Sequence, residues 1–131
     1  MKKIKKTARQ KAVKKADAAM SLYVRARDKR CVLCGTPYRL QAGHLIRRGK
    51  WSVRYDERNV FCQCAGCNKR HNYYPEFYTN WWINRFGQEA YDKLVRDSQK
   101  LKHYTTAELL EIAEYFKNKL KELEAKRDGK N

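Results

Sequence analysis

Apolar positions along the chain repeat in patterns that predict five helices and two short strands. Residues 8–29 place small and apolar side chains, such as Ala12, Ala16 and Tyr23, at helical spacing, which is typical of one buried face. Residues 1–15 carry eight lysines and arginines and no acid. Like charges at this spacing repel, so we expect the first turns of the helix to fray without an anionic partner.

The centre of the chain combines short strands with tight turns. Residues 31–35 form a knuckle, and residues 40–46 and 59–63 predict two strands joined by a loop with glycine and arginine. A second knuckle begins at Cys64 and passes into a short helix that ends near Asn72. This region therefore predicts a strand pair followed by a helix.

Three more helices are predicted after the strands. Pro75 suits a first helical turn, and the aromatic face that follows stops at Gly87, its members being Phe77, Tyr78, Trp81, Trp82 and Phe86. A short helix covers residues 88–97. Thr105 and Glu108 have the spacing of a capping box, and an apolar stripe then continues to about residue 126. The apolar stripe and the Trp81-Trp82 face are candidate interfaces between two copies of the chain, with core as the alternative; for the two tryptophans we expect core.

Together these elements predict a mostly helical α+β fold, one domain overall. Its parts are a basic arm and helix over residues 1–29, a core of two strands and a helix over 30–75, and packing or dimerising helices over 76–127. The chain has 131 residues, of which 42% are hydrophobic and 34% charged. Its core must be small, and small cores usually need a staple.

The charge balance favours a polyanionic partner. Lysine and arginine number 31 against 14 acidic residues, a formal net charge of +17, which favours nucleic acid. No apolar run approaches the roughly 18 residues of a spanning helix, and the N-terminus lacks the apolar segment of a secretory signal. We therefore expect a protein of the reducing cytoplasm that binds DNA, with no membrane and no small-molecule substrate.

Four of the five cysteines form two closely spaced pairs, Cys31-x-x-Cys34 and Cys64-x-x-Cys67. Two intervening residues let both sulfurs of a pair reach one ion, so the pairs predict a structural Zn²⁺ site. Two disulfides or free core thiols are the alternative, which a reducing compartment disfavours. We expect Cys62 to be a small buried residue, with replacement of Cys64 as a ligand as the alternative.

His44, Asn59 and Asn68 follow the order of the HNH nuclease motif, nested within the cysteine pairs. A neutral imidazole can deprotonate water near neutral pH, which makes His44 the candidate base and Asn59 the candidate residue that orients its ring. Asn68 would support a catalytic Mg²⁺ or Mn²⁺ that stabilises charge on a phosphate. The structural alternatives are a core histidine, an asparagine that closes a turn and an asparagine that caps a helix.

The combined motifs resemble the NinG/Rap family of lambdoid-phage recombination proteins, within the zinc-bearing branch of the HNH (ββα-metal) superfamily. The likeness covers residues 20–96 and is carried by Tyr23-x-Arg25-x-Arg27-Asp28, Cys31-x-x-Cys34-Gly35, residues 42–49, residues 54–59, Gln63-Cys64-x-x-Cys67-Asn68, Asn72 and Tyr78. It implies a metal-dependent endonuclease that nicks Holliday junctions, D-loops and other branched DNA in phage recombination, in the host cytoplasm if the chain is phage-encoded.

Two positions depart from that pattern. In many HNH enzymes the residue before the base is an acid or a histidine that helps hold the metal, whereas this chain has Gly43. After the last cysteine, His71-Asn72 stands where we expect Gly-Asn. The metal would then need Asn68 and a further ligand, for which the candidates are Asp56, His71 and Asn72. The alternatives are that Asp56 pairs with Arg54 and that His71 is an exposed helix residue.

Cations flank this candidate site, namely Arg47, Arg48, Lys50, Lys69 and Arg70. We expect them to contact phosphates, which position DNA without reading its sequence, and a solvated charged face is the alternative. Resolving a four-way junction takes two nicks, which favours a two-fold homodimer. The rival functions are a non-catalytic zinc module that binds DNA and an HNH nuclease for restriction, homing or nonspecific nicking.

Overall fold

The computed structural model describes residues 4–129; the outermost residues of the predicted basic arm (1–3) and of the chain's end (130–131) lie outside that range. The described part is a mostly helical α+β fold with a two-stranded sheet, as predicted. Its elements are α1 (Ala8–Asp28), β1 (Leu40–His44), α2 (Trp51–Arg54), β2 (Val60–Cys64), α3 (Ala65–Arg70), α4 (Glu76–Phe86), α5 (Gln88–Ser98) and α6 (Thr106–Arg127). A 3₁₀ turn, Glu57–Asn59, precedes β2.

The five predicted helices and both strands are confirmed, with ends that differ by at most a few residues. The sequence did not predict α2 or the 3₁₀ turn. These elements are four and three residues long, which is too short for a helical repeat of apolar positions to be visible. None of the described helices is long and apolar enough to cross a lipid bilayer.

The described residues up to Tyr23 and from Tyr104 form one compact unit, which contains most of α1 and all of α6. The rings of Tyr23 and Phe116 lie 5.8 Å apart between centroids. The predicted capping box is confirmed, since Glu108 N donates to Thr105 Oγ1 at 3.1 Å and Thr105 N donates to Glu108 Oε1 at 3.0 Å. The buried residues of this unit are Ala12, Ala16, Ala19, Met20, Tyr23, Leu109, Ala113 and Phe116.

The second unit, Val24–His103, contains both strands and α2 to α5. This unit therefore groups α4 and α5 with the strands, and the division predicted at residues 29 and 75 stays a prediction. One buried cluster of this unit consists of Leu45, Val53, Tyr78, Trp82 and Leu94. Trp82 is thus core, as expected, and Trp81 packs partly buried against the cluster. The Trp82 indole donates to the Arg58 carbonyl at 2.8 Å.

The antiparallel pairing of the strands sets the geometry of this unit. Leu40 lies opposite Cys64 and His44 lies opposite Val60, so the histidine and the cysteine are at opposite ends of the ladder. Because α3 begins directly after Cys64, the order is strand, strand, helix. The hydroxyl of Tyr78 joins both strands to α4. It donates to the Gly43 carbonyl in β1 at 2.8 Å and accepts from Phe61 N in β2 at 3.1 Å.

Gly43 is required by a side chain on the neighbouring strand. A Cβ atom at this position would stand 2.0 Å from Gln63 Oε1, far inside any real contact. Gln63 is fully buried, and its two amide atoms have no hydrogen-bond partner within the described chain. The space that a side chain at position 43 would occupy is therefore taken by the amide of Gln63.

We expect Gly43→Ala to lower the free energy of unfolding by about 1–3 kcal/mol, the usual cost of overpacking. Adding Gln63→Ala should recover most of that loss, because it removes the atoms that the new Cβ meets. Urea unfolding of the parent, both single variants and the double variant would measure this coupling.

Gly66→Ala is the matched control. Its Cβ would lie 4.0 Å from the nearest atom, Cys64 Sγ, so this substitution should not destabilise. Strictly additive losses in the double variant would contradict the steric explanation.

Candidate functional site

Four cysteines from the two knuckles converge on one point. The sulfurs of Cys31, Cys34, Cys64 and Cys67 all lie within 4.8 Å of one another, and those of Cys34 and Cys64 are 3.7 Å apart. Tetrahedral thiolates about 2.3 Å from zinc would be separated by about 3.8 Å. The predicted set of four is thus brought together, and it could bind one zinc ion.

Both knuckles have the same local hydrogen bond. Cys34 N donates to Cys31 Sγ at 3.5 Å, and Cys67 N donates to Cys64 Sγ at 3.4 Å. Burial would raise the pKa of the Cys31 thiol, yet hydrogen bonds from the surrounding backbone, first that of Cys34, lower this pKa to about 7. The surroundings therefore favour the thiolate at Cys31, whereas burial raises the pKa of Cys67 and the pKa of Cys34 is also raised. Metal binding would have to displace the protons of these thiols.

Cys62 lies outside the cluster, so Cys64 is the fourth member. Its side chain is fully buried, and burial, aided by the charge of Asp28, raises the pKa of this thiol to about 11. The backbone of Cys62 is fastened to the end of α1, because its N–H donates to Asp28 Oδ2 at 2.8 Å. Arg27 donates to the Val60 carbonyl at 2.8 Å in the same strand. Sequence reasoning gave these two contacts no role.

His44, at the other end of β1, is half-buried and lines a cleft. Its Nε2 lies 2.9 Å from the Arg54 carbonyl oxygen. Because a carbonyl only accepts, this nitrogen carries the hydrogen, and the lone pair of the neutral ring is on Nδ1. The main chain at the end of α2 therefore sets both the tautomer and the tilt of the ring.

Asn59 does not orient the imidazole, which corrects the sequence prediction. Its side chain is fully buried; Oδ1 accepts from Ile46 N at 2.7 Å, and Nδ2 donates to the carbonyls of Ile46 at 2.9 Å and Val53 at 3.1 Å. Most buried amide groups have hydrogen-bond partners, and for Asn59 the backbone supplies them. Asn59 thus ties both ends of the loop that carries the Arg54 carbonyl.

Asp56 is likewise not brought to the cleft as a metal ligand. Its carboxylate accepts from Arg58 Nε at 3.0 Å and from Arg58 N at 2.9 Å, so its partner is not Arg54 either. Arg58 continues to Asp97 at 3.0 Å. Hydrogen bonds from Lys93, Arg58 and Lys100 hold the pKa of Asp97 well below its usual range. Both carboxylates belong to an ion-pair network.

Arg54 is buried and supports the same loop. Its guanidinium lies 4.3 Å from the Trp51 ring centroid, and Nη1 donates to the Arg48 carbonyl at 3.3 Å. The sequence did not predict this role, because α2 itself was not visible in the apolar pattern.

The cleft has a volume of about 890 Å³ and contains cations without acids. Its lining residues are Gln41, Ala42, His44, Leu45, Ile46, Arg47, Arg48, Ala65, Asn68, Lys69, His71 and Asn72. Three of the five predicted DNA-binding cations are therefore present. The other two, Lys50 and Arg70, are not among the lining residues. A concave surface with this charge suits a phosphate.

Side-chain amides from β1 and α3 meet at the cleft. Asn68 Nδ2 donates to Gln41 Oε1 at 2.8 Å. This hydrogen bond uses the amide nitrogen of Asn68 and not its amide oxygen. Asn72 lies one helical turn further along the same wall. Amide oxygens are acceptable ligands for Mg²⁺, although Mg²⁺ is usually held by carboxylates as well.

His71 is half-buried and not an exposed helix residue, and it lines the cleft. Its Nε2 donates to the Leu45 carbonyl at 2.9 Å, and its ring packs edge-on against Tyr78 with centroids 5.1 Å apart. The remaining nitrogen, Nδ1, is buried without a hydrogen-bond partner in the described residues. This histidine holds α3 against the end of β1.

Comparison with known proteins places the chain in a phage family. It matches the family described as "NinG: Bacteriophage Lambda NinG protein" over residues 1–126. It is 37% identical over 119 residues to "Protein ninG" of Escherichia phage 933W, with 85% of this chain and 57% of that protein covered. For the proteins of the same name from Salmonella phage P22 and Escherichia phage lambda, the identities are 36% over 118 residues and 35% over 119 residues.

In both of these alignments 85% of this chain is covered, with 57% of the P22 protein and 56% of the lambda protein. The chain thus spans little more than half the length of these curated relatives. No solved structure matches the chain significantly. The match over residues 1–126 and the 35–37% identity to these relatives show that the chain belongs to the NinG family of lambdoid phages.

Proposed function

We propose that this protein is a metal-dependent endonuclease of the HNH (ββα-metal) type that nicks branched DNA, such as Holliday junctions and D-loops, in phage recombination. The observation that carries the proposal is the His44 ring, which lines a cation-rich cleft with its tautomer set by the Arg54 carbonyl. The strand, strand, helix order of β1, β2 and α3 supports the HNH assignment. Family membership supports the phage context.

His44 acts as the general base through Nδ1. It takes a proton from a water molecule, and the resulting hydroxide forms a bond to the phosphorus of the DNA backbone. The bond between phosphorus and the 3′ oxygen breaks, and that oxygen receives a proton from solvent. The products are a 5′ phosphate and a 3′ hydroxyl. Arg54 keeps the imidazole in place through its carbonyl, and Asn59 keeps that carbonyl in place through the loop.

Arg47, Arg48 and Lys69 hold the phosphate in the cleft. Their charge is not offset by any acid among the lining residues, so a polyanion is drawn to this surface. Contacts of this kind position the backbone without reading bases, which suits a substrate defined by its shape.

A catalytic divalent cation would be held by the amide oxygens of Asn68, Gln41 and Asn72. When bound, such an ion supplies Lewis-acid stabilisation of the phosphate and of the leaving oxygen. Because no carboxylate lines the cleft, these neutral ligands would hold the ion weakly until a phosphate completes its coordination. Asp56, which pairs with Arg58, and His71, whose Nδ1 is buried, are not ligands of the ion in this proposal.

A structural zinc ion at the four cysteines completes the proposal. It would join the knuckle that follows α1 to the end of β2 and the start of α3, and so support the helix that carries Asn68. A site closed by four thiolates has no open position for substrate, so this zinc is separate from the catalytic ion.

The lack of acids in the cleft also favours a second candidate, a zinc module that binds branched DNA without cutting it. A homodimer, expected from the need for two nicks, stays a prediction. The following experiment separates the two functions.

We expect His44→Ala to reduce nicking of a four-way junction by at least about 10²-fold, the usual contribution of a general base. Binding to the same junction should stay within about twofold, because the phosphate contacts come from other residues. The measurements are single-turnover cleavage with Mg²⁺ or Mn²⁺, and fluorescence anisotropy without metal.

His71→Gln is the matched control, since it removes a second cleft imidazole that the proposal treats as structural. It should lower thermal stability yet keep cleavage at low temperature. An active His44→Ala protein would exclude this base. A parent protein that binds junctions but cuts none, with either metal, would establish the non-catalytic alternative.

We expect Cys34→Ser to abolish stoichiometric zinc and to unfold the unit Val24–His103, because structural zinc contributes on the order of 10 kcal/mol to such sites. Cys62→Ala should retain one zinc per chain, since this thiol lies outside the cluster. Metal analysis by mass spectrometry and circular dichroism with and without chelator would measure both effects. A folded Cys34→Ser protein, or zinc lost equally from both variants, would refute the four-cysteine site.

A further inference from the structure

Three aromatic side chains, two in the turn between α3 and α4 and one in the first turn of α4, are unusually exposed. Tyr73, Tyr74 and Phe77 are 71%, 56% and 48% accessible, whereas the next aromatic residue, Tyr78, is fully buried. Aromatic rings carry a large apolar area and are normally used in cores or interfaces. We call these three residues the aromatic platform.

The main chain and one cation hold the platform in place. The Arg70 carbonyl accepts from Tyr73 N at 3.0 Å and from Tyr74 N at 2.8 Å. The Tyr74 and Phe77 rings are 6.4 Å apart between centroids, at 74°, and the Arg70 guanidinium stacks 4.0 Å from the Phe77 centroid. The Tyr74 and Phe77 rings thus pack against each other, and Phe77 packs against Arg70, at the surface.

The platform directly continues the wall of the cleft. Lys69, His71 and Asn72 line the cleft, and Tyr73 is the next residue. A DNA strand whose phosphate lies beside Lys69 therefore has its neighbouring nucleotides within reach of these rings.

We infer that the aromatic platform stacks on unpaired nucleobases of the DNA strand bound in the cleft. The inference rests on the proposed function, because it takes DNA as the ligand. Every nucleobase presents a flat π-face when it is unpaired, and stacking on aromatic rings and arginine is the usual way to hold such bases. In a continuous duplex those faces are covered by neighbouring base pairs.

The composition of the turn favours a nucleic acid over a protein partner. Residues 70–77 contain no Ala, Val, Leu, Ile or Met, whereas protein interfaces normally combine aromatic with aliphatic contacts. The turn has two adjacent cations, Lys69 and Arg70, against one acid, Glu76. The chain as a whole carries +17. Bases would be held by the rings and phosphates by the cations.

The test uses the full chain with His44→Ala, so that binding is read without cleavage. Two probes are compared by fluorescence anisotropy: a fully paired duplex, and the same duplex with a short gap of unpaired thymines. Adding Tyr73→Ala and Tyr74→Ala should weaken binding to the gapped probe by at least about fivefold. Affinity for the paired duplex should change by less than about twofold, because phosphate contacts remain.

Two controls distinguish stacking from other roles. Tyr73→Phe with Tyr74→Phe should bind the gapped probe like the parent, since the ring faces are kept. Tyr38→Ala removes another exposed tyrosine, 74% accessible, and should change neither affinity. A 2-aminopurine base in the gap should be quenched on binding, and this quenching should be lost with the two alanines.

Equal loss on both probes, or no loss on either, would overturn the inference. Both results concern binding alone, so they do not depend on whether the parent protein cuts. Absence of nicking would exclude the nuclease proposal but not the stacking proposal. Unchanged binding by the Tyr73→Ala, Tyr74→Ala variant would exclude stacking but not the role of His44.

Discussion

The antiparallel pairing of β1 with β2 is the constraint on which the candidate site depends. One register places Cys64 opposite Leu40 and His44 opposite Val60, so the strand pair carries the cysteine cluster at one end and the histidine at the other. A slip of one residue would turn every side chain to the opposite face. Gln63 packs against Gly43, the one glycine of β1. A slip would place a residue with a Cβ atom against Gln63 and would therefore be costly.

Backbone groups hold this site more than side-chain pairs do. The His44 ring is bonded to the Arg54 carbonyl, and His71 to the Leu45 carbonyl. Asn59 bonds three backbone groups of the intervening loop. Carbonyls fixed in this way cost no side-chain entropy when they orient a ring. The loop between the strands is therefore part of the site and not only a connection.

The distribution of charge separates stability from recognition in this protein. Asp56 and Asp97 are engaged with Arg58 and lysines, away from the cleft lining. Arg47, Arg48 and Lys69 line the cleft, and the described lining residues include no acid. Excess positive charge is tolerated where it does not disturb the core, and it gives the cleft its attraction for phosphate.

The amino-acid sequence by itself determined the helices of three turns or more, both strands, the capping box at Thr105 and the set of four clustered cysteines. These depend on local spacing: apolar repeats, a cap and two residues between thiols. It could not show that Arg54 orients His44, that Asn59 bonds the loop, or that Asp56 pairs with Arg58. Those pairings join groups whose distance depends on how the loop between β1 and β2 folds. A hydrogen bond between a ring and a carbonyl ten residues away leaves no periodic trace, so only the tertiary structure decided it.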